Sequence, residues 1–128
     1  MRPRVIFAAG VLAAAEVSAQ IQPPVEPGSL QQDAGTLGIG PGHHQEVCHA
    51  LKPGDKRRYS FTSNAPVDFN IHYHVAETVI YLAVGHNLRS KEGLMAAGVD
   101  GEEIYCWMWV NLQKQPAKLT FRIWEDAP

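Results

Sequence analysis

After its opening residues this 128-residue chain has no apolar run long enough to cross a bilayer as a helix, which takes about 20 consecutive residues. It also has little basic charge in any one place. Lys56-Arg57-Arg58 is the one basic run, whereas nucleic acid or an anionic membrane demands a clustered basic surface. A solvated strand edge accounts for it. The chain has two cysteines, Cys48 and Cys106, too far apart for the C-x-x-C pairing of a zinc site. It lacks a G-x-S-x-G nucleophile turn, an internal repeat, and any helix-period stripe of ordinary length. Together these absences exclude nucleic-acid binding and a serine-hydrolase site, and they argue against an enzyme in general.

What is present begins with "MRPRVIFAAGVLAAAEVSAQ". Arg2 and Arg4 precede an apolar run from Val5 to Ala15, and Val17-Ser18-Ala19 is a small-x-small exit. The pattern predicts a secretory signal over residues 1–19, cleaved near Ala19, because the run is short for a spanning helix and Glu16 interrupts it. A periplasmic or secreted protein is expected. Removing that segment leaves nine basic residues against twelve acidic ones, a net charge of about −3. In an oxidising compartment an even pair of cysteines reads first as a disulfide, here Cys48–Cys106. The competing reading is a pair of thiolate metal ligands.

Residues 20–44, "QIQPPVEPGSLQQDAGTLGIGPGHH", are dense in Pro, Gly and Gln. Such a composition buries too little apolar surface to offset ordering entropy, so a flexible leader is expected, although Leu30, Leu37 and Ile39 can dock on the domain. From residue 45 to 128 short apolar runs alternate with turn residues, the pattern of an all-β sandwich or barrel. The runs are Glu46–Leu51, Lys56–Phe61, Val67–His74, Glu77–Val84, a short strand near Gly93–Ala97, Ile104–Asn111 and Lys118–Trp124. Lys52-Pro53-Gly54-Asp55 and Ser63-Asn64-Ala65-Pro66 read as turns, and Gly85-His86-Asn87 is expected to turn the chain after Val84. Glu77–Val84, apolar on both faces, reads as a central strand. In Lys118–Trp124, Leu119, Phe121 and Ile123 should face inward.

The ordered set Cys48, Pro53-Gly54, Tyr59-Ser60-Phe61, Val67-Asp68-Phe69-Asn70-Ile71 and Gly101 before Tyr105-Cys106-Trp107-Met108-Trp109-Val110-Asn111 resembles the GOLD domain. That domain is the lumenal β-sandwich of secretory cargo receptors. The likeness spans about residues 46–124 and extends to small exported bacterial proteins with similar "FNIHYH" and "YCWMW" segments. It implies an antiparallel β-sandwich of GOLD or jelly-roll type, a bond between the two cysteines, and binding as the generic role. No coiled coil or membrane anchor follows the sandwich segments, so transport-receptor function does not carry over.

Two groups of side chains are candidates for a site. In "DFNIHYH", period-two alternation puts Val67, Phe69, Ile71 and Tyr73 on one face and Asp68, Asn70, His72 and His74 on the other. His72 and His74, roughly 6–7 Å apart at the backbone, can reach one copper or zinc ion. Asp68, His43, His44 and His49 are candidates to complete the set, with Met95 or Met108 for Cu(I). Both histidines can equally be solvated or pack on neighbouring aromatics. In the late run, Tyr105, Trp107 and Trp109 share one face and either form an aromatic binding ridge or fill the core. The expected function is a small exported non-enzymatic binding module whose partner is a small ligand or an envelope protein. The alternative is a periplasmic copper- or zinc-binding protein using His72 and His74.

Overall fold

The computed structural model describes residues 4–8, 32–98 and 100–126. Among them are seven strands: β1 (Arg4–Ala8), β2 (Gln32–Ile39), β3 (His44–Leu51), β4 (Lys56–Val75), β5 (Thr78–Ala96), β6 (Glu103–Val110) and β7 (Ala117–Glu125). All pair antiparallel. The expected all-β antiparallel sandwich with one disulfide is what the chain forms.

Its architecture depends on β4, whose 20 residues are too many for one flat layer. The first part of β4 pairs with β7 and the second part with β6. Between them the register with β5 shifts at Thr62/Val67 and again at Val67/Phe69. Irregularities of this kind bend a strand and raise its twist. The sheet therefore curls into two layers, β1-β3-β6-β4 and β4-β7-β2, with β5 alongside β4 throughout. Ser63-Asn64-Ala65-Pro66, expected as a chain-reversing turn, is the bend where β4 passes from one layer to the other.

The core lies between the layers. Trp109 of β6 meets Phe121 of β7 at 5.5 Å and Phe61 of β4 at 5.8 Å, and Phe61 stacks on Phe69 at 5.0 Å. Leu119, Phe121 and Ile123 face inward, as their alternation predicts, and so do Val67, Phe69 and Ile71. Each fully buried tryptophan removes roughly 150–250 Å² from water, about 4–6 kcal/mol of burial before entropy is charged.

Three expectations are corrected. Residues 32–39 do not belong to a flexible leader: they form β2, pair with β7 from Gln32↔Trp124 to Ile39↔Ala117, and bury Asp33, Leu37 and Ile39. Main-chain pairing supplies what the Gly-rich composition hides. Leu30, the other docking candidate of that segment, lies outside the described residues. The expected central strand at 77–84 is instead, from Thr78 on, the first part of β5, which among the described residues pairs with β4 alone and leaves Val79, Tyr81, Leu82 and Val84 exposed. Apolar content there covers an edge rather than filling a core. Finally, Gly85-His86-Asn87 does not end the strand; Asn87 adopts a φ of 54° inside it. Of the segment expected to be a signal, Arg4–Ala8 pairs with β3, and the rest lies outside the described residues.

Candidate functional site

The site is the outer face of the layer β3-β6-β4, where alternation brings a polar group over a disulfide. On β6, Tyr105, Trp107 and Trp109 point into the core and are no more than 1% exposed. Residues 104, 106, 108 and 110 therefore point outward. The expected aromatic ridge of Tyr105, Trp107 and Trp109 is thus corrected: these rings are the largest buried side chains, and neither indole N–H has a partner among the described residues. Packing alone holds them. The Tyr105 hydroxyl instead accepts the Gly98 backbone N–H at 3.0 Å.

Cys48 and Cys106 sit directly opposite each other on β3 and β6 and form the disulfide. On the other side of Cys106, β4 places His72 in register with it. His72 is buried and held from two directions. Its Nδ1 lies 2.6 Å from Asn70 Oδ1, two residues back on the same face, and its Nε2 lies 3.3 Å from Glu46 Oε1 on β3. The Asn70 amide and the Glu46 carboxylate thus bracket the two ring nitrogens and fix the orientation of the imidazole. Burial pushes the His72 pKa down from its ordinary value. The Glu46 carboxylate opposes that shift, while His74 and His44 add to it.

Around this centre the surface opens. His74 is exposed, with its ring edge-on to His72 at 5.2 Å, and Tyr81 of β5 lies 6.0 Å from His72. Tyr81 is 55% exposed, an aromatic face left to solvent beside buried polar groups. A cleft of about 370 Å³ runs past Glu46, His74, Glu103, Ile104 and Cys106.

The structure brings His72 and His74 together, but not with Asp68. The Asp68 carboxylate lies 3.0 Å from His86 Nδ1 and accepts the Asn87 backbone N–H at 3.1 Å. It thus anchors β5 and is corrected as a ligand. His49 points the other way, 2.9 Å from buried Asp33 and stacked against Trp107, and Met95 is in the core. Among the described residues, the group of three donor atoms within 4.8 Å of one another belongs to Glu46, Cys48 and Cys106, whose two sulfurs are bonded to each other. Among the described residues no third donor atom joins the two histidines within that distance, and the copper or zinc alternative is not favoured. Sequence reasoning missed Glu46, Asn70 and Tyr81 as site residues. Glu46 was accessible to it, since it lies two positions before Cys48 on one strand and so shares its face.

No family model matches the chain, and no curated protein does. Solved structures do. The Yersinia pseudotuberculosis-derived mitogen is similar with a TM-score of 0.55 at 12% identity, over 73% of this chain and 85% of that one. The carbohydrate-binding module TmCBM61, solved in complex with β-1,4-galactotriose, is similar with a TM-score of 0.52 at 10% identity, over 97% of this chain and 89% of that one. A family 29 carbohydrate-binding module covers 98% of this chain and 86% of its own with a TM-score of 0.49 at 6% identity. Identities this low speak for architecture alone. What the chain shares with the mitogen and with TmCBM61 is the β-sandwich, a jelly-roll-like fold closed here by Cys48–Cys106.

Proposed function

We propose that the protein is a small exported non-enzymatic binding module of GOLD-like or jelly-roll architecture, and that it takes a neutral oligosaccharide across the outer face of β3-β6-β4 and the flanking β5. The observation that carries this reading is Tyr81, an exposed aromatic ring set beside buried Asn70 and His72 and half-buried Glu46. A sugar ring offers an apolar face to stack and hydroxyls to pair, and binding sites of this kind combine aromatic surface with a few fixed polar groups. Glu46 and Glu103 line the cleft, so a uronate or sulfated sugar would meet like charge. The likeness to TmCBM61, which is solved with β-1,4-galactotriose, supports a sugar as ligand class and makes galactan the first probe.

The test is affinity electrophoresis and calorimetry of the mature protein against galactotriose, neutral β-glucan and mannan oligomers, and polygalacturonate. A neutral glycan should bind, and Tyr81→Ala should weaken it at least tenfold, because stacking on an exposed ring is lost while the core is untouched. The melting curve should not move. Equal binding by wild type and Tyr81→Ala, or binding of polygalacturonate alone, would overturn the assignment. Export is checked by sequencing the N-terminus of the purified protein, which should begin at Gln20.

A further inference from the structure

The layer β1-β3-β6-β4 ends on a strand that signal cleavage would take away. β1 lies antiparallel on β3 from Arg4↔His49 to Ala8↔Gln45, and Arg4–Ala8 falls inside the segment read as a cleaved signal. Its removal leaves β3 at the edge of the sheet. Which main-chain groups this frees follows from the ladder between β3 and β6. Cys48 and Cys106 stand 4.1 Å apart at Cα, the short separation of a pair that exchanges no main-chain bonds. The Asn111 N–H, donated to the His43 carbonyl at 2.9 Å, sets the same phase. Gln45, Val47 and His49 therefore bond to β6, while Glu46 and Cys48 turn their N–H and C=O groups the other way, toward Phe7 and Val5.

Edges meant to stay unpaired are blunted by proline, lysine or a bulge, and β3 has none of these. Its pairing with β6 runs unbroken from His44↔Val110 to Leu51↔Glu103. Glu46, its one carboxylate, is engaged 3.3 Å from His72 Nε2. The open edge of β5 differs: its register with β4 shifts repeatedly, Asn87 has a φ of 54°, and Arg89, Lys91 and Glu92 lie along it. On the core side of β3, Val47 and Leu51 are fully buried. A strand added there must therefore be apolar opposite Val47, while its residues opposite Glu46 and Cys48 fall on the cleft side. The segment that holds this place in the structure, Arg-Val-Ile-Phe-Ala, is such a strand, with β-branched and aromatic residues.

We propose that the exported protein is a strand acceptor: the edge of β3 takes an extended apolar segment of a partner protein, antiparallel and in the register that β1 occupies. Main-chain bonds to Glu46 and Cys48 supply affinity, and alternate side chains of the guest strand supply selectivity. A second copy of β3 fits less well, because it carries Gln45 and His49 beside Val47 on the side where an apolar strand is needed. The proposal rests on the export reading. It is independent of the oligosaccharide reading, which uses the face of the layer and not its edge.

The experiment uses the protein exported and processed by a secreting host, with its N-terminus sequenced first. The probe is a capped synthetic peptide, Arg-Val-Ile-Phe-Ala-Ala, the sequence of residues 4–9. In the free protein the Glu46 and Cys48 amides should exchange with solvent much faster than those of Val47 and His49, and the peptide should protect them. The register supplies a sharper control. N-methylation of the peptide phenylalanine, whose N–H faces Glu46, should weaken binding roughly tenfold. N-methylation of the isoleucine, whose N–H points away from β3, should leave it unchanged. Glu46→Pro removes an edge N–H and spares the β6 ladder, so it should weaken the peptide with little change in the melting curve; if that variant misfolds, the two methylated peptides decide. A chain that retains Arg4–Ala8 closes the edge with its own strand and overturns both export and the acceptor. A processed chain that binds no peptide, that binds the two methylated peptides alike, or that sediments as a dimer with Glu46 and Cys48 already protected overturns the acceptor and leaves export standing.

Discussion

Replacing both cysteines, Cys48→Ala with Cys106→Ala, isolates what the cross-link contributes, because the native contacts it joins exist without it. Cys48 and Cys106 are already paired in the β3–β6 ladder, so the bond acts chiefly on the unfolded chain. With its ends 58 positions apart in the chain, loop-closure entropy is roughly 14 cal/mol/K, or about 4 kcal/mol at 25 °C. That is a large part of the ~5–15 kcal/mol by which domains are usually stable. Urea unfolding followed by tryptophan fluorescence reports the loss directly, since Trp107 and Trp109 are buried. For a slope near 2 kcal/mol/M the midpoint should fall by about 2 M, and the slope itself should rise because the freed chain exposes more surface. Wild type treated with a dithiol should coincide with the double variant. A midpoint that drops by less than about 0.5 M with an unchanged slope would refute the entropic account.

Two further outcomes follow from packing and charge. Burial holds the His72 pKa below its ordinary 6.5, so the unfolded chain takes up its proton first as pH falls. The stability from keeping His72 neutral is whole above about pH 6.5 and is lost below it, down through the folded value. The difference in unfolding free energy between wild type and His72→Gln should therefore shrink from pH 7.5 to pH 5. A difference that grows would mean that the Glu46 attraction outweighs burial. At Gly93, a Cβ would stand 2.6 Å from the Tyr59 hydroxyl oxygen and 2.8 Å from Cζ. Gly93→Ala should thus cost about 1–3 kcal/mol and much less in a Tyr59→Leu background; additive costs in the double variant would count against this contact.

Most of the layer structure was legible because alternation is a local property. The inward set Phe69, Ile71, Leu119, Phe121 and Ile123 follows from period two and hydrophobicity, and so does the shared side of Cys106 and Met108. The cysteine pairing was legible from their even number in a chain read as exported. What alternation leaves open is which face of a strand meets the core. For "IYCWMW" both faces are apolar enough to qualify, and tryptophan volume decides in favour of the inside, moving the aromatic ridge from the surface into the core. β2 was hidden because its stability comes from eight backbone pairings with β7, a non-local source that a Gly-rich composition does not advertise.

For the candidate site the division is sharper. Sequence by itself determined that His72, His74 and Asn70 share a side of one strand and that Glu46 and Cys48 share a side of another, because side chains two apart on a strand cannot do otherwise. Only the tertiary structure decided that β6 stands between those strands, so that His72 reaches Glu46 across the disulfide while Asp68 turns to His86. Strand order is a long-range choice set by the bend in β4 and by burial of the tryptophans, and no local spacing encodes it.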